Sequence, residues 1–442
     1  MKKILIYSLF LANLIVLVWS WWYFNQVLIS GGDSTSLLLA ISRLSGLLAT
    51  VLALTQLLLI GRIKWIEEVF GLDKLSKVHK WNGYAVLILI MIHVVLVTKS
   101  YSIINQIPYF DQYLSFLTDY DDIFKSFLAV LILVGTIGLS ITIIRRQLKY
   151  EWWYYVHILN YLTFVLFVGH QLELGTSSNS TWFEAYWLGI YAFTALHIAW
   201  FRFFIPLYNF WQQDFTITKV DSINGVAVSV YISGRDLNKF KRQSGQFMIL
   251  RFLQNGFWWQ AHPFSLSWGA NNSELRITAK NLGDFTASMP NLKVGTKVLI
   301  DGPHGVFTSD KITKDKVLMI AGGIGITPLR SLAEELVGKV DLTLIYSAKT
   351  RNEAVLLDEL KLLSQNNTST KSFRLIEIYS NEQIQGAEFG MLNKDKLAEL
   401  VADLSERDVF LCGPPRMMDA MKLAVMEIGL PRKQFHWEKF SL

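Results

Sequence analysis

The chain has 442 residues and a mass of 50.6 kDa, with a formal net charge of +6 and a pI near 9.1. Apolar residues make up 52% and charged residues 18%, against about 25% charged in an ordinary soluble domain, which excludes a wholly water-soluble enzyme and a disordered chain. A single cysteine, Cys412, excludes a disulfide framework and a cysteine-built metal site, and no basic stripe interleaved with aromatics speaks for nucleic acid.

The imbalance is local. Residues 1–209 hold 11 of the 36 acidic residues, and residues 1–211 hold 11 of the 15 tryptophans. A membrane half is therefore joined to a soluble half. Six apolar segments, roughly 4–24, 37–60, 79–98, 124–144, 154–172 and 182–205, meet the ~20 residues needed to cross a bilayer. The first lacks a small-x-small cleavage site and is followed by more spans, so it reads as a retained helix and not a signal peptide. With the N-terminus inside, eleven Lys and Arg fall on the inner tail and loops, against Lys99 and Lys125 outside. That asymmetry fixes the orientation. The acidic group Asp119, Asp121 and Asp122 lies outside, and the soluble half is cytoplasmic.

Four of the eight histidines sit on two of these spans: His79 and His93 on the third, His157 and His170 on the fifth. Fourteen residues at about 1.5 Å rise cover about 21 Å and nearly four turns, so His79 and His93 share one face. His79 with His157, and His93 with His170, would then form pairs at two depths. Paired neutral imidazoles suit the axial positions of b-type haem; the alternative is buried, hydrogen-bonded or interfacial histidines. One detail resists. Thirteen residues of straight helix rotate by about 220°, which puts His157 and His170 on different faces. The fifth helix therefore requires a kink or π-bulge, expected near Gly169. His197, on the sixth span, has no partner at matching depth and reads as structural or as support for a ligand. Arg43, near the outer end of the second span, either pairs with an anion there (a haem propionate or a reduced product) or snorkels to the interface.

In the soluble half, short alternating runs at 215–220, 226–232, 246–252, 274–279 and 297–301 predict a small antiparallel barrel. After the third comes His262-Pro263-Phe264-Ser265, read as a rigid turn whose Phe could pack on an isoalloxazine ring and whose Ser could bond its edge. After the fourth comes Gly283-Asp284-Phe285-Thr286, read as a turn or as a pyrophosphate cradle at a helix start. From residue 316 onward, apolar strands at 317–321, 341–346, 373–379 and 408–412 alternate with helical stretches and predict a parallel sheet. The loop Ala321-Gly322-Gly323-Ile324-Gly325-Ile326-Thr327-Pro328 joins a strand to a helix, where glycines let backbone approach phosphate. Ser347, Lys349 and Arg351 follow the next strand, and a hydroxyl with two cations favours a 2′-phosphate over a solvated loop. Cys412-Gly413-Pro414 ends the last strand, where Cys412 either lines a nicotinamide site or is a small buried hydrophobe.

Together these motifs resemble the NADPH oxidase / ferric reductase superfamily over nearly the whole chain, in the family's order. The resemblance implies an all-α six-helix transmembrane bundle (1–209), an antiparallel β-barrel FAD-binding domain (210–310) and a Rossmann-like α/β NADPH-binding domain (311–442). It implies His79, His93, His157 and His170 as axial ligands of two b-type haems. FAD would be held by His262, Pro263, Phe264 and Ser265, with Lys280, Gly283, Asp284, Phe285 and Thr286. NADPH would be held by Gly322, Gly323, Gly325, Thr327, Pro328, Ser347, Lys349 and Arg351, with Cys412, Gly413 and Pro414 at the nicotinamide. Phe440 would cover the flavin, and Arg43 resembles an arginine beside the outer haem. Val97 stands where animal oxidases often place a further histidine, and Ser441 and Leu442 follow the terminal aromatic. The implied activity is a plasma-membrane NADPH oxidase that reduces O2 to superoxide on the outer face, the alternative a ferric or cupric chelate reductase. Neither implies nucleic acid or an obligatory protein subunit, and a transporter fused to a redox module is the reading from another class.

Overall fold

The computed structural model describes residues 2–141, 150–173 and 180–439. The chain divides into two compact units, residues 1–69 with 74–201, and residues 70–73 with 202–442.

The first unit is helical. Besides shorter helices at Gln26–Ser30, Lys64–Phe70 and Tyr109–Asp119, its elements are α1 (Lys2–Phe24), α2 (Ser34–Ile60), α3 (Leu72–Ile104), α4 (Asp121–Ser140), α5 (Tyr150–Ile158), α6 (Asn160–Glu173) and α7 (Thr181–Ile198). Among the described residues five helices are long and apolar enough to cross a membrane: α1 to α4, and the stretch Thr181–Gln213 that begins with α7. Ile4, Ile88 and Leu131 on them are 71%, 59% and 52% exposed, a surface suited to lipid and not to water. α2 starts on Asp33, whose carboxylate accepts the N–H groups of Thr35 and Ser36 at 2.9 Å. Ala40, Ser42, Ser45 and Ala49 on α2 are buried, and such small side chains let neighbouring backbones approach. After α7 the backbone widens into a π-helix, Ala199–Phe204, just before Pro206. Pro206 has no N–H for the Arg202 carbonyl, and the wider turn accommodates that loss.

The segment expected as a fifth continuous span, 154–172, folds instead as α5 and α6, divided at Leu159. The Leu159 N–H bonds the Val156 carbonyl at 3.1 Å, and the Leu162 N–H bonds the Leu159 carbonyl at 2.9 Å. Both are i→i+3 bonds, the tighter winding of a 3₁₀ turn. The distortion expected near Gly169 is not there, because α6 runs through that residue. Gly169 serves another purpose: a Cβ on it would lie 2.5 Å from the Asp122 carboxylate of α4.

The second unit holds two kinds of sheet. Strands β1 (Thr216–Ile223), β2 (Ala227–Ser233), β3 (Phe247–Phe252), β4 (His262–Ser265), β5 (Leu275–Lys280) and β6 (Val298–His304) form two three-stranded antiparallel sheets, ordered β1-β2-β5 and β4-β3-β6. Isolated bridges at Thr216–Lys297 and Leu266–Ile277 join them, in place of one continuous closed ladder. Residues 262–265, read from sequence as a turn, are an edge strand on β3. An edge tolerates Pro263, whose missing N–H costs no ladder bond there. A short helix, α8 (Asp284–Ser288), precedes β6.

The parallel strands expected at 317–321, 341–346, 373–379 and 408–412 are β7 (Lys316–Gly322), β8 (Asp341–Ala348), β9 (Phe373–Tyr379) and β11 (Arg407–Cys412). Two short strands, β10 (Glu388–Phe389) and β12 (Phe435–Glu438), complete the order β10-β9-β8-β7-β11-β12. Helices α9 (Ile326–Leu336), α10 (Leu357–Gln365) and α11 (Pro415–Glu427) connect them. From β7 the chain proceeds outward to β8 and β9 on one side, while β11 and β12 lie on the other. The strand order therefore reverses between β7 and β11, the place where open α/β sheets bind ligands. An ionic strut ties the two kinds of sheet together. Arg276 on β5 grips Glu359 on α10 at 2.7 and 2.9 Å, and Arg330 on α9 lies 2.8 Å from the same carboxylate.

Candidate functional site

In the helical unit the His79 and His157 rings lie 6.0 Å apart between centroids, and the His93 and His170 rings also lie 6.0 Å apart. Two metal–nitrogen bonds of about 2 Å, plus about 1.1 Å from each nitrogen to its ring centre, require about 6.2 Å. Both separations thus fit one iron between each pair of imidazoles. Among the described residues no three His, Cys, Asp or Glu side chains cluster as a metal site. Paired histidines suit a metal whose other ligands come from a porphyrin.

The partners of the ring nitrogens are backbone groups of α2. His93 Nδ1 donates to the Ser42 carbonyl at 2.8 Å, and His79 Nδ1 to the Gln56 carbonyl at 3.2 Å. A carbonyl only accepts, so Nδ1 carries the proton and Nε2 is left with a lone pair able to bind a metal. Ser42 and Gln56 are 14 residues apart, as are His79 and His93, and the two helices run antiparallel along this match. Gly46 makes room: a Cβ on it would sit 2.9 Å from His93 Nδ1.

The other two histidines are held differently. His157 stacks on Trp153 at 5.0 Å and meets the Ser140 hydroxyl at 3.4 Å. His170 Nδ1 is buried and has no hydrogen-bond partner among the described residues. The next residue, Gln171, gathers three helices: its amide donates to Thr50 on α2 at 3.0 Å and accepts from Trp187 and Tyr191 on α7 at 3.0 and 2.8 Å. Arg43 donates to the Asn25 side-chain oxygen at 2.9 Å, with the Tyr101 side chain nearby. No carboxylate pairs with it among the described residues. His197 donates to the Phe193 carbonyl at 2.8 Å and packs among Trp65, Phe193 and Phe201, a structural position.

In the second unit, β4 brings His262 and Phe264 beside Phe285, at ring separations of 3.9 and 6.3 Å. Pro263 holds register with Ile249 of β3. The Ser265 hydroxyl is buried with no partner among the described residues, which fits a flavin edge as its acceptor. The 283–286 segment is less open than its sequence suggests. The Thr286 hydroxyl already accepts the N–H groups of Leu282 and Gly283, at 3.0 and 3.2 Å, so a phosphate there would have to displace it; Asp284 is exposed. Lys280 is engaged with Glu353 at 2.5 Å.

At the reversal of strand order, the 322–328 loop packs backbone to backbone on the 412–414 turn. A Cβ on Gly325 would overlap the Cys412 carbonyl, one on Gly322 would lie 2.7 Å from Pro414 Cδ, and one on Gly413 would lie 3.1 Å from Gly322. These three glycines are needed for loop packing. Gly323 alone, with φ +51°, faces open space, where a phosphate can approach backbone N–H groups. Thr327 caps its own turn on the Ile324 carbonyl at 3.1 Å, and Pro328 is buried inside α9. Ser347, next to last in β8, is half-buried. Lys349 is exposed and has no ion pair among the described residues, whereas Arg351 pairs with Asp358 at 2.6 Å. Cys412 is fully buried; burial pushes its thiol well up, and the Glu438 carboxylate adds to that. Phe440 lies outside the described residues.

Sequence reasoning missed Glu438, opposite Cys412 in register on β12, and Gln171. A buried acid in the last strand and a glutamine next to His170 were the available signals.

Three family models match in series: "Ferric reductase like transmembrane component" over residues 45–168, "FAD-binding domain" over 212–308 and "Oxidoreductase NAD-binding domain" over 319–422. Flavohemoprotein A of Dictyostelium discoideum is 25% identical over 283 residues, 59% of this chain and 68% of that protein. The glycine betaine monooxygenase reductase subunit of Chromohalobacter salexigens is 32% identical over 175 residues, 37% of this chain and 47% of that one; the chain thus spans about half of this relative. Among solved structures, the FAD/NAD-binding domain of a Vibrio cholerae nitric oxide dioxygenase aligns with TM-score 0.45 and 23% identity, over 51% of this chain and 97% of that one.

Proposed function

We infer that this chain, which belongs to the NADPH oxidase / ferric reductase superfamily, carries electrons from cytoplasmic NADPH across the plasma membrane to O2 outside, with superoxide as product. The two histidine pairs at equal 6.0 Å separations carry this reading. Bound FAD would convert a two-electron hydride into single electrons, and two b-type haems would be the one-electron carriers through the hydrocarbon. The overall balance is one NADPH and two O2 to NADP⁺, one proton and two superoxide.

The chain's residues divide this work. His79 with His157 hold the inner haem, and His93 with His170 the outer one; the α2 carbonyls fix the tautomers of His79 and His93. The broken segment 150–173 makes the sixth crossing beside the five long helices. Ser265 and the His262–Phe264–Phe285 aromatic group seat the isoalloxazine. Gly323 and the α9 start take the pyrophosphate, Lys349 with Ser347 the 2′-phosphate, and Arg351 joins them by leaving the exposed Asp358. Gly413 and Pro414 shape the nicotinamide pocket, and buried Cys412 stays a neutral thiol behind it. Arg43, held by Asn25 and with no carboxylate partner among the described residues, offers its charge to an anion at the outer face. A second reading, reduction of a ferric or cupric chelate, is favoured by the acidic 111–122 segment and uses the same residues up to the outer haem.

Acceptor competition separates the two. On purified, FAD-supplemented protein with saturating NADPH, kcat/KM is compared for O2, read as dismutase-sensitive cytochrome c reduction, and for an Fe(III) chelate without oxygen. Preference for O2 with most electrons leaving as superoxide supports the oxidase. An Fe(III) preference of orders of magnitude overturns it in favour of the reductase. His93→Ala protein should lose external reduction of either acceptor while soluble-dye reduction survives.

A further inference from the structure

We propose that Asn160, braced by Thr136, is the residue that aligns His157 and His170 with their partners on α3. The proposal rests on the two-haem reading above. A continuous helix through 150–173 would turn its two histidines about 220° apart, while His79 and His93 sit nearly in line on one face of α3. One helix cannot satisfy both pairs. The break at Leu159, wound by i→i+3 bonds on both sides, interrupts that regular rotation between His157 and His170.

A break inside hydrocarbon needs its own hydrogen bonds, because no water is there to supply them. Asn160 supplies them. Its amide donates to the carbonyl of His157 at 2.9 Å, and its side-chain oxygen accepts from Thr136 on α4 at 3.0 Å. Thr163 closes the other side, donating to the Asn160 carbonyl at 2.7 Å. Thr136 and Thr163 are each 3% exposed. Short polar side chains compete with regular helical bonding in this way. Four residues beyond Thr136, and so on the same face of α4, Ser140 receives the Trp153 indole N–H at 3.0 Å and meets His157. α4 thus holds α5 through Ser140 and the break through Thr136, and Asn160 is the hinge pin between them.

The test uses the full-length holoprotein, haem-loaded and oxidised, without NADPH. Haem per chain is measured by pyridine haemochromogen, and the low-spin EPR signals are recorded, since their g values follow the angle between the two imidazole planes. Wild type, Asn160→Leu, Thr136→Val and, as control, Gly138→Ala are compared; a Cβ on Gly138 meets nothing within 4 Å. Asn160→Leu, which favours an unbroken helix, should fall from two haems per chain to about one, with the His79–His157 site lost. Thr136→Val should keep both haems but shift the g values of that site, and Gly138→Ala should match wild type. If Asn160→Leu does not fold, the Thr136→Val spectrum decides. Two haems and unchanged g values in both variants overturn the proposal while leaving the two-haem reading intact. Wild-type protein that binds no b haem overturns that reading, and this proposal with it.

Discussion

Gly46→Ala is expected to weaken the outer haem while strengthening the helix that carries the change. A Cβ at this position lies 2.9 Å from His93 Nδ1 and 3.1 Å from Cε1. Restoring an ordinary carbon contact of about 3.6 Å requires the ring to retreat by about 0.7 Å. The 2.8 Å bond to the Ser42 carbonyl then stretches to about 3.5 Å, beyond hydrogen-bond range. Loss of such a supporting bond typically lowers metal affinity by about 10–100-fold, or about 1.4–2.8 kcal/mol. Gly→Ala inside a helix is itself favourable by about 1 kcal/mol, so the variant should melt no lower than wild type when both lack haem. Haem titration of the apoprotein measures the effect: one of two b-type binding phases should weaken, and the other, on His79 and His157, should not move. Gly138→Ala should leave both phases as they are. Two unaltered phases in Gly46→Ala would refute the placement of His93 against α2.

The other predictions are simpler to state. Gln171→Leu strands the Trp187 N–H and the Tyr191 hydroxyl, each bond within a membrane averaging about 0.6 kcal/mol; loss of three should lower the helical unit's thermal midpoint, and an unchanged midpoint would show that Gln171 holds nothing. Lys349→Glu should cut kcat/KM for NADPH about tenfold or more and leave NADH nearly untouched, because only NADPH carries the 2′-phosphate; equal losses for both cofactors would remove Lys349 from that role. The Asp403 carboxyl is held down at about 2 by Arg407, at 2.7 Å, with Lys316 adding to it. Its folded value lies below its unfolded one, so its stabilisation is full above about pH 4 and lost as pH falls towards 2. Asp403→Asn should therefore cost about 1–2 kcal/mol of denaturant stability at pH 7, with the gap closing at low pH; a gap that persists at pH 2 would contradict the ion-pair account.

Much of the architecture was legible because burial writes itself into composition. Strands β7, β8 and β11 are largely buried and read as apolar runs, and β9 does so apart from Arg374 and Glu377. The same logic failed for β4, where Pro263 signals a turn unless the strand is known to be an edge, and for β10, which is two residues long. The four histidines were legible from spacing alone. Their geometry was not, because the compensating break lies at Leu159-Asn160, a pair with neither Pro nor Gly, while the glycine that drew suspicion, Gly169, accommodates Asp122. The partners of His79 and His93 were invisible in principle, since every residue carries a carbonyl and no side chain marks which one is used. The loop glycines were visible, but their packing role was not: Gly322, Gly325 and Gly413 lie against each other's loops, where a Cβ would not fit, while a Cβ on Gly323 meets nothing.

The use of backbone carbonyls on α2 also limits how such a protein can drift. Point mutation does not delete the Ser42 or Gln56 carbonyl, so this half of each imidazole pair is sheltered from inherited change except through bulk, as at Gly46. Variation among descendants must enter from the opposite side, through the Ser140 hydroxyl near His157 and the bare Nδ1 of His170. Substitutions that reset these contacts act through side chains on α4, α5 and α6, or through bulk on α2, as at Gly46.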